Sequence, residues 1–167
     1  MQFFTEAWLS GDLGDDEELK IIEQYRDHLA TFDHDGQLYR LATTISLHDA
    51  YLDSLIVDIK AGRIDLLLLT GDLQIGYWRT TLSYSSERVA AGKPVLRRGL
   101  SSRPTEILYD EFTRTAEGLS HGFILAPRRR TQVSGGEFRI DFQDFSFRQE
   151  PASGRNLATV GDNSVWT

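Results

Sequence analysis

Residues 51–70, with the sequence YLDSLIVDIKAGRIDLLLLT, predict a β-hairpin from which the rest of the sheet extends. Over Ala50–Ile59 the side chains follow a period of two, which is typical of a strand. Lys60–Arg63 contains a glycine and favours a turn, after which the chain returns as the mostly aliphatic stretch Ile64–Thr70. The four consecutive leucines in that stretch indicate a strand that is buried on both faces.

Four more strands are predicted outward from this hairpin. Tyr77–Tyr84 follows a turn and makes the third strand of a meander, and Thr105–Thr115 and Leu119–Ala126 form a second hairpin. The last strand is Glu137–Phe147, in which the apolar parity changes near Gln143, so a bulge is expected there. The sequence therefore predicts about six antiparallel strands.

A single N-terminal helix is predicted over Asp15–Phe32, where apolar residues recur at spacings of three and four. The segment 37–46 is ambiguous between a short helix and irregular chain. The predicted fold is α+β, with this helix packed on the sheet as one domain over residues 1–150. Residues 151–167 are rich in small and polar residues and predict a loosely ordered tail that carries Trp166. The apolar stripe of the helix comprises Leu19, Ile22, Tyr25, Leu29 and Phe32.

The composition of the 167 residues excludes several classes of chemistry. There is no cysteine, which removes disulfides, thiolate nucleophiles and cysteine-based zinc sites. The first residues lack the pattern of a signal peptide, and the longest aliphatic run is far too short to span a bilayer. We therefore expect a cytoplasmic protein without a membrane partner.

The uneven charge distribution is explained either by a solvated face and a solvated loop, which is the preferred interpretation, or by recognition of a basic partner. The net charge of −7 argues against nucleic-acid binding, which depends on clustered lysine and arginine. Residues 1–35 hold ten acidic against two basic side chains, whereas residues 87–103 hold five basic side chains against one acidic. Four of the acids fall in the first turn of the predicted helix, where the helix dipole favours them, and they are the candidate partner-binding residues: Asp15, Asp16, Glu17 and Glu18.

No cofactor or metal site is predicted. Neither a Walker loop nor a dinucleotide glycine pattern lies between a strand and a helix. Asp33–Gly36 begins like a calcium loop, but the twelfth position holds Thr44 instead of a glutamate, so a helix-ending turn is the better interpretation. His28 and His121 lack the spacing of metal ligands.

No catalytic residue is predicted either. His48 and Asp49 are adjacent, and in a strand they would face opposite sides, so both are assigned a structural role. Arg128–Arg130 is interpreted as a solvated turn. Four acids resemble the carboxylate pairs of glycosidases, but solvent-facing acids on an antiparallel strand give the same pattern; they are Glu106, Asp110, Glu111 and Glu117.

The segment Leu47–Leu52 (LHDAYL), followed by the hairpin strands and a third strand that ends at Tyr84, resembles a pattern in small uncharacterised bacterial proteins. Several of those proteins are grouped with immunity proteins of polymorphic toxin systems, and the resemblance covers about residues 45–147. It implies a non-enzymatic protein that binds and blocks a toxin, in which His48 and Asp49 stabilise the start of the sheet. The basic segment 87–103 departs from what an inhibitor of a basic toxin requires.

Three hypotheses follow. The first is a non-enzymatic, immunity-like protein that binds a basic partner such as a toxin, with association of two copies of the chain left open. The second is a hydrolase whose polar centre comprises His48, Asp49 and His121. The third is an accessory subunit that docks through Trp166 and the 87–103 segment. A concave pocket in which one of the histidines meets carboxylates favours the enzyme, and a flat charged face favours the binding protein.

Overall fold

The computed structural model describes residues 1–85, 105–116, 118–127, 134–154 and 164–166, and it has an α+β fold. In these ranges the helices are α1 (Glu6–Ser10), α2 (Asp15–Leu29) and α3 (Gln37–Thr44). The strands are β1 (Tyr51–Asp58), β2 (Arg63–Asp72), β3 (Gly76–Ser85), β4 (Thr105–Thr115), β5 (Gly118–Leu125), β6 (Gly136–Phe142), β7 (Asp144–Ala152) and β8 (Ser164–Trp166).

The sheet is mostly antiparallel and follows the order β6-β5-β4-β1-β2-β3-β7. The predicted hairpins are confirmed, since β1 pairs with β2, β2 with β3, and β4 with β5. The short strand β8 lies off this path and pairs in parallel with the second half of β1.

The sheet curls so that its two ends meet. The edge strands β6 and β7 are separated in the chain by Gln143 alone, and the Gln143 backbone N–H donates to the Ser85 carbonyl oxygen at 2.9 Å. The rings of Tyr84 in β3 and Phe142 in β6 are 5.4 Å apart between centroids. An edge strand at one end of the sheet and the strand next to the edge at the other end therefore contribute to one core.

The predicted α+β class is confirmed, but the described residues form three helices and eight strands instead of one helix and about six strands. The last predicted strand is two strands, β6 and β7, because the parity change at Gln143 is a break between them and not a bulge within one. Phe145 and Phe147 still pack against the core from β7. The ambiguous segment after Gly36 forms α3, which buries Leu38 and Leu41, and the five-residue α1 was not predicted.

The predicted inward stripe of α2 is correct only in its second half. Leu29 and Phe32 are buried and Tyr25 is half-buried, but the side chains of Leu19 and Ile22 are 59% and 46% exposed. The helix is amphipathic along its whole length, but only its C-terminal half meets the sheet. Periodicity identifies the apolar face of a helix without showing how far the neighbouring layer extends.

The second half of α2 covers the edge of β4. Strands β1 and β4 pair only at Tyr51 with Glu106 and at Leu52 with Thr105, so the rest of this β4 edge needs other partners. Tyr25 Oη accepts the Phe112 backbone N–H at 3.0 Å. The Arg114 guanidinium donates to the Thr31 carbonyl oxygen at 3.0 Å and lies 4.6 Å from the centroid of the Phe32 ring.

Several sequence predictions fall outside the described residues. These are the basic segment 87–103, Glu117 and Arg128–Arg130. Within residues 151–167, for which a tail was predicted, β7 continues to Ala152 and Ser164–Trp166 form β8. None of the helices in the described ranges has the length and apolar character that a membrane crossing requires.

We expect Leu82→Ala to lower the free energy of unfolding by about 2–5 kcal/mol, because Leu82 is fully buried and its truncation leaves a cavity. Urea denaturation followed by circular dichroism measures the change. Leu73→Ala is the matched control, since Leu73 is 90% exposed, and it should change the same quantity by less than about 0.5 kcal/mol. Equal effects of the two variants would contradict the described core.

Candidate functional site

The predicted acidic residues lie in the first turn of α2, as their sequence positions require. The Glu17 carboxylate accepts the Gly14 backbone N–H at 3.2 Å and so caps the helix. Asp15, Asp16 and Glu17 are exposed, and Glu18 is half-buried. In the described part of the chain no lysine or arginine forms an ion pair with Asp15 or Asp16.

Exposed apolar side chains continue this acidic surface. Asp15, Leu19 and Ile22 follow one another at spacings of four and three residues, and they therefore share one face of α2. We call Asp15, Asp16, Leu19 and Ile22 the α2 patch. Interfaces between proteins commonly place apolar contacts inside a polar and charged rim, and the α2 patch has that composition.

His48 and Asp49 lie in the turn before β1, where Asp49 has a positive φ of 62°. His48 Nδ1 is 3.0 Å from Asp49 Oδ2, so the prediction that the two side chains face opposite sides of a strand is wrong. A left-handed residue in a turn brings neighbouring side chains together that an extended strand keeps apart. The Asp49 backbone N–H also donates to the Ile107 carbonyl oxygen at 2.8 Å, which links this turn to β4.

A buried hydrogen-bond chain connects Asp110, His121 and Tyr84. His121 Nε2 lies 2.9 Å from Asp110 Oδ2, and His121 Nδ1 lies 2.8 Å from Tyr84 Oη. The His121 and Tyr84 side chains are fully buried. The His121 ring also stacks on Phe112, with the ring centroids 3.7 Å apart.

Burial shifts the pKa values of His121 and Tyr84 in the directions that favour their neutral forms. Desolvation lowers the pKa of His121, against the opposing effect of Asp110, and so favours a neutral imidazole. Burial, together with the Asp110 charge, raises the pKa of Tyr84 well above its ordinary value. Neutral His121 therefore donates its Nε2 proton to the carboxylate, and Tyr84 donates to the free Nδ1.

This order of carboxylate, imidazole and hydroxyl resembles that of a hydrolytic triad. It differs in that solvent reaches the carboxylate and not the hydroxyl. In a triad the hydroxyl is the nucleophile and must reach the substrate. Here the hydroxyl belongs to fully buried Tyr84, whereas the side chain of Asp110 is 19% exposed. The arrangement can present an oriented carboxylate to a ligand, but it does not present a nucleophilic hydroxyl.

Asp110 opens into a cavity of about 420 Å³ between α2, the loop after α3, and β4. We call this cavity the Asp110 pocket. His48 lies on its wall, so the structure brings His48 and the carboxylate partner of His121 to one site. The aromatic part of the wall comprises Phe4, Tyr25 and Tyr109.

Glu111 holds one of these aromatic walls in place. It is adjacent to Asp110 in β4 and points to the opposite face, where its carboxylate accepts backbone N–H groups from Gln2, Phe3 and Phe4. The Phe4 ring then stacks on Tyr109 at 5.3 Å between centroids. Asp110 and Glu111 are therefore not a catalytic carboxylate pair, because each points to a different face and serves a different structure.

A second cavity, of about 490 Å³, lies on the other side of the loop after α3. It shares His48 with the Asp110 pocket and adds Asp49 and Asp72 as carboxylates and Trp78 as an aromatic wall. His48 thus stands between two concave surfaces. The predicted hydrolase centre is not assembled around either of them, because His121 contacts Asp110 and not the His48–Asp49 pair.

Part of this site was accessible from the sequence. Thr115 pairs with Gly118 at the end of the β4–β5 hairpin, and this register puts His121 opposite Phe112 and diagonal to Asp110. That register alone predicts the contact between His121 and Asp110. The contact between Tyr84 and His121 cannot be predicted in this way, because Tyr84 lies in β3, which is not a neighbour of β5 in the sheet.

The described residues contain no group of three or more histidine, aspartate or glutamate side chains placed to hold a metal ion. The chain is thus of the α+β class, with a curled, mostly antiparallel sheet and a pocket lined in part by aromatic rings and by Asp110. No family model, curated protein or solved structure matches it.

The buried imidazole makes stability depend on pH. Because the pKa of His121 is lowered on folding, the unfolded chain takes up a proton at mildly acidic pH that the folded chain does not. The free energy of unfolding should therefore be largest above the ordinary pKa of about 6.5 and fall as the pH decreases below it. One such proton sets a limiting slope of about 1.4 kcal/mol per pH unit. Denaturation at several pH values from 7 to 5.5, together with NMR of the imidazole nitrogens, measures both quantities.

His28→Gln is the control for this titration, since burial lowers the pKa of His28 as well and acts with the same sign. The slope that the variant loses belongs to His28, and the imidazole NMR titration measures the contribution of His121 directly. An imidazole of His121 that takes up a proton at pH 6.5 or above would contradict the neutral assignment.

Proposed function

We propose that this protein is a non-enzymatic protein-binding domain of the immunity-like kind, acting in the bacterial cytoplasm on a basic partner such as a toxin. The observation that carries the proposal is the α2 patch, where exposed carboxylates and exposed aliphatic side chains share one helix face. The resemblance around His48 and Asp49 supports the same class of function.

Charge complementarity supports a basic partner. The first 35 residues carry a net charge of −8, and a negative surface of this kind speeds the encounter with a positive protein. Only Lys20 and Arg26 oppose this charge among the first 35 residues, and Arg26 already lies 4.0 Å from Glu23. Leu19 and Ile22 would supply apolar area at the centre of the contact.

The hydrolase hypothesis has one observation in its favour, the carboxylate–imidazole–hydroxyl chain that ends at the Asp110 pocket. Its weakness is that the hydroxyl of Tyr84 and the ring of His121 are both fully buried, so neither can touch a substrate. His48, the other acid–base group in the lining of that pocket, pairs with Asp49 and forms no hydrogen bond with Asp110 among the described residues. Binding is therefore the function that the geometry supports better.

The test is capture from the native host with three tagged, folded proteins. These are the wild type, Asp15→Asn/Asp16→Asn, and the control Asp141→Asn/Asp144→Asn, which removes the same charge from exposed residues on β6 and β7. We expect the wild type and the control to retain one basic protein in stoichiometric amount. The Asp15/Asp16 variant should retain at least fivefold less, because steering charges next to the apolar contact are lost.

The dependence of the association rate on salt tests the role of charge separately. The association rate of the purified pair should fall as the ionic strength rises, and it should fall less steeply for the Asp15/Asp16 variant. Failure to retain a protein, or equal retention by all three proteins, would contradict the proposal.

A further inference from the structure

We propose that the Asp110 pocket binds a cationic nitrogen group, an alkylammonium or guanidinium carried on a short aliphatic stem. This inference is independent of the proposed function, because it concerns a cavity beside β4 and not the α2 patch. Four features of the pocket support it: a carboxylate held in one orientation, an aromatic wall, the charges of the lining, and the volume.

The Asp110 carboxylate is held in one orientation by its hydrogen bond to His121. Asp110 Oδ2 accepts from the buried imidazole of His121 at 2.9 Å, and in the described residues Oδ1 takes part in no hydrogen bond. His121 is itself held by Tyr84 and by stacking on Phe112. One oxygen is thus tied to the core, and the other is free to bind a ligand in a side chain that is 19% exposed and lines the pocket. A pre-oriented carboxylate loses little conformational freedom when it binds a cation.

The aromatic wall supplies a second kind of attraction. Phe4, Tyr25 and Tyr109 form one cluster, with the Phe4 ring 5.1 Å from that of Tyr25 and 5.3 Å from that of Tyr109. The faces of such rings attract a cation, and clusters of aromatic rings are a recurring way of binding ammonium groups. The Tyr25 hydroxyl already accepts the Phe112 N–H, so this ring serves as wall.

The remaining lining fits a cation better than an anion or a neutral group. None of the described lining residues is lysine or arginine, and His48 is the only histidine among them. An anion would face the Asp110 carboxylate, and a purely apolar ligand would remove water from that carboxylate without replacing its hydrogen bonds. Leu47 and Ile45 line the same cavity and can contact an aliphatic stem. A volume of about 420 Å³ is within the ordinary range for small ligands.

The experiment is an NMR titration of the full chain, labelled with ¹⁵N, with n-butylammonium and with its neutral counterpart 1-butanol. We expect saturable shifts of the Tyr109, Asp110 and Ser46 amides with the ammonium ion, and at least tenfold weaker binding of the alcohol. Asp110→Asn keeps an acceptor for His121 and should weaken ammonium binding about tenfold, a factor that corresponds to the loss of one ion pair.

Three further variants keep the result interpretable. Asp141→Asn removes a carboxylate outside the pocket and should change the affinity less than twofold. Tyr109→Leu removes part of the aromatic wall without touching the His121 contact, and should weaken binding about threefold even if Asp110→Asn does not fold. Asp15→Asn/Asp16→Asn should bind n-butylammonium like the wild type, which separates this inference from the proposed function.

The source of the cation is distinguished by a parallel titration with the peptide Gly-Lys-Gly, with blocked ends. Tighter binding of the peptide than of n-butylammonium indicates a lysine side chain of a protein, and equal or weaker binding indicates a free amine. Equal affinity for ammonium and alcohol, or shifts that are unaffected by both Asp110→Asn and Tyr109→Leu, would overturn the proposal.

Discussion

The hydrogen bond between Tyr84 and His121 is the contact on which the arrangement of this protein depends. It joins β3 to β5, although β4, β1 and β2 lie between these strands in the order of the sheet. Such a bond exists only when the sheet is curled enough to bring its two ends together. The surrounding rings of Phe112, Phe123 and Phe142 fill the space that the curl encloses. A neutral imidazole suits this position, because it can accept from one side of the core and donate to the other without carrying a charge.

The curl also explains how two neighbouring carboxylates in β4 have separate roles. Alternation along a strand sends Asp110 towards the inside of the curl and Glu111 to the outer face. Inside, Asp110 meets His121, and outside, Glu111 binds the backbone of residues 2–4. The second contact places Phe4 over Tyr109, so both carboxylates contribute to one pocket from opposite faces of the strand.

Local patterns predicted the hairpins, and long-range constraints account for what they missed. The alternation over Ala50–Ile59 and the glycine turn after it were sufficient for β1 and β2, because hairpin pairing depends on neighbouring residues. The parity change at Gln143 was visible, but only the curl explains why it separates two strands at opposite edges. For the site, the β4–β5 register was within reach of the sequence, whereas the Tyr84 contact and the exposure of Leu19 and Ile22 depend on where the curled sheet ends.

The helix α2 relates the two surfaces that we assign to binding. Its C-terminal half covers the open edge of β4 and contributes Tyr25 to the Asp110 pocket, while its N-terminal half extends beyond the sheet with Leu19 and Ile22 exposed. Tyr25 lies seven residues from Glu18, or about 10 Å along the helix axis. The acids of the first turn are thus about one Debye length from the pocket at moderate ionic strength, so their field reaches it only in part. The attraction of a basic partner by the acidic turn and the binding of a cation in the pocket therefore depend on different carboxylates. Asp15 and Asp16 serve the first, and Asp110 serves the second.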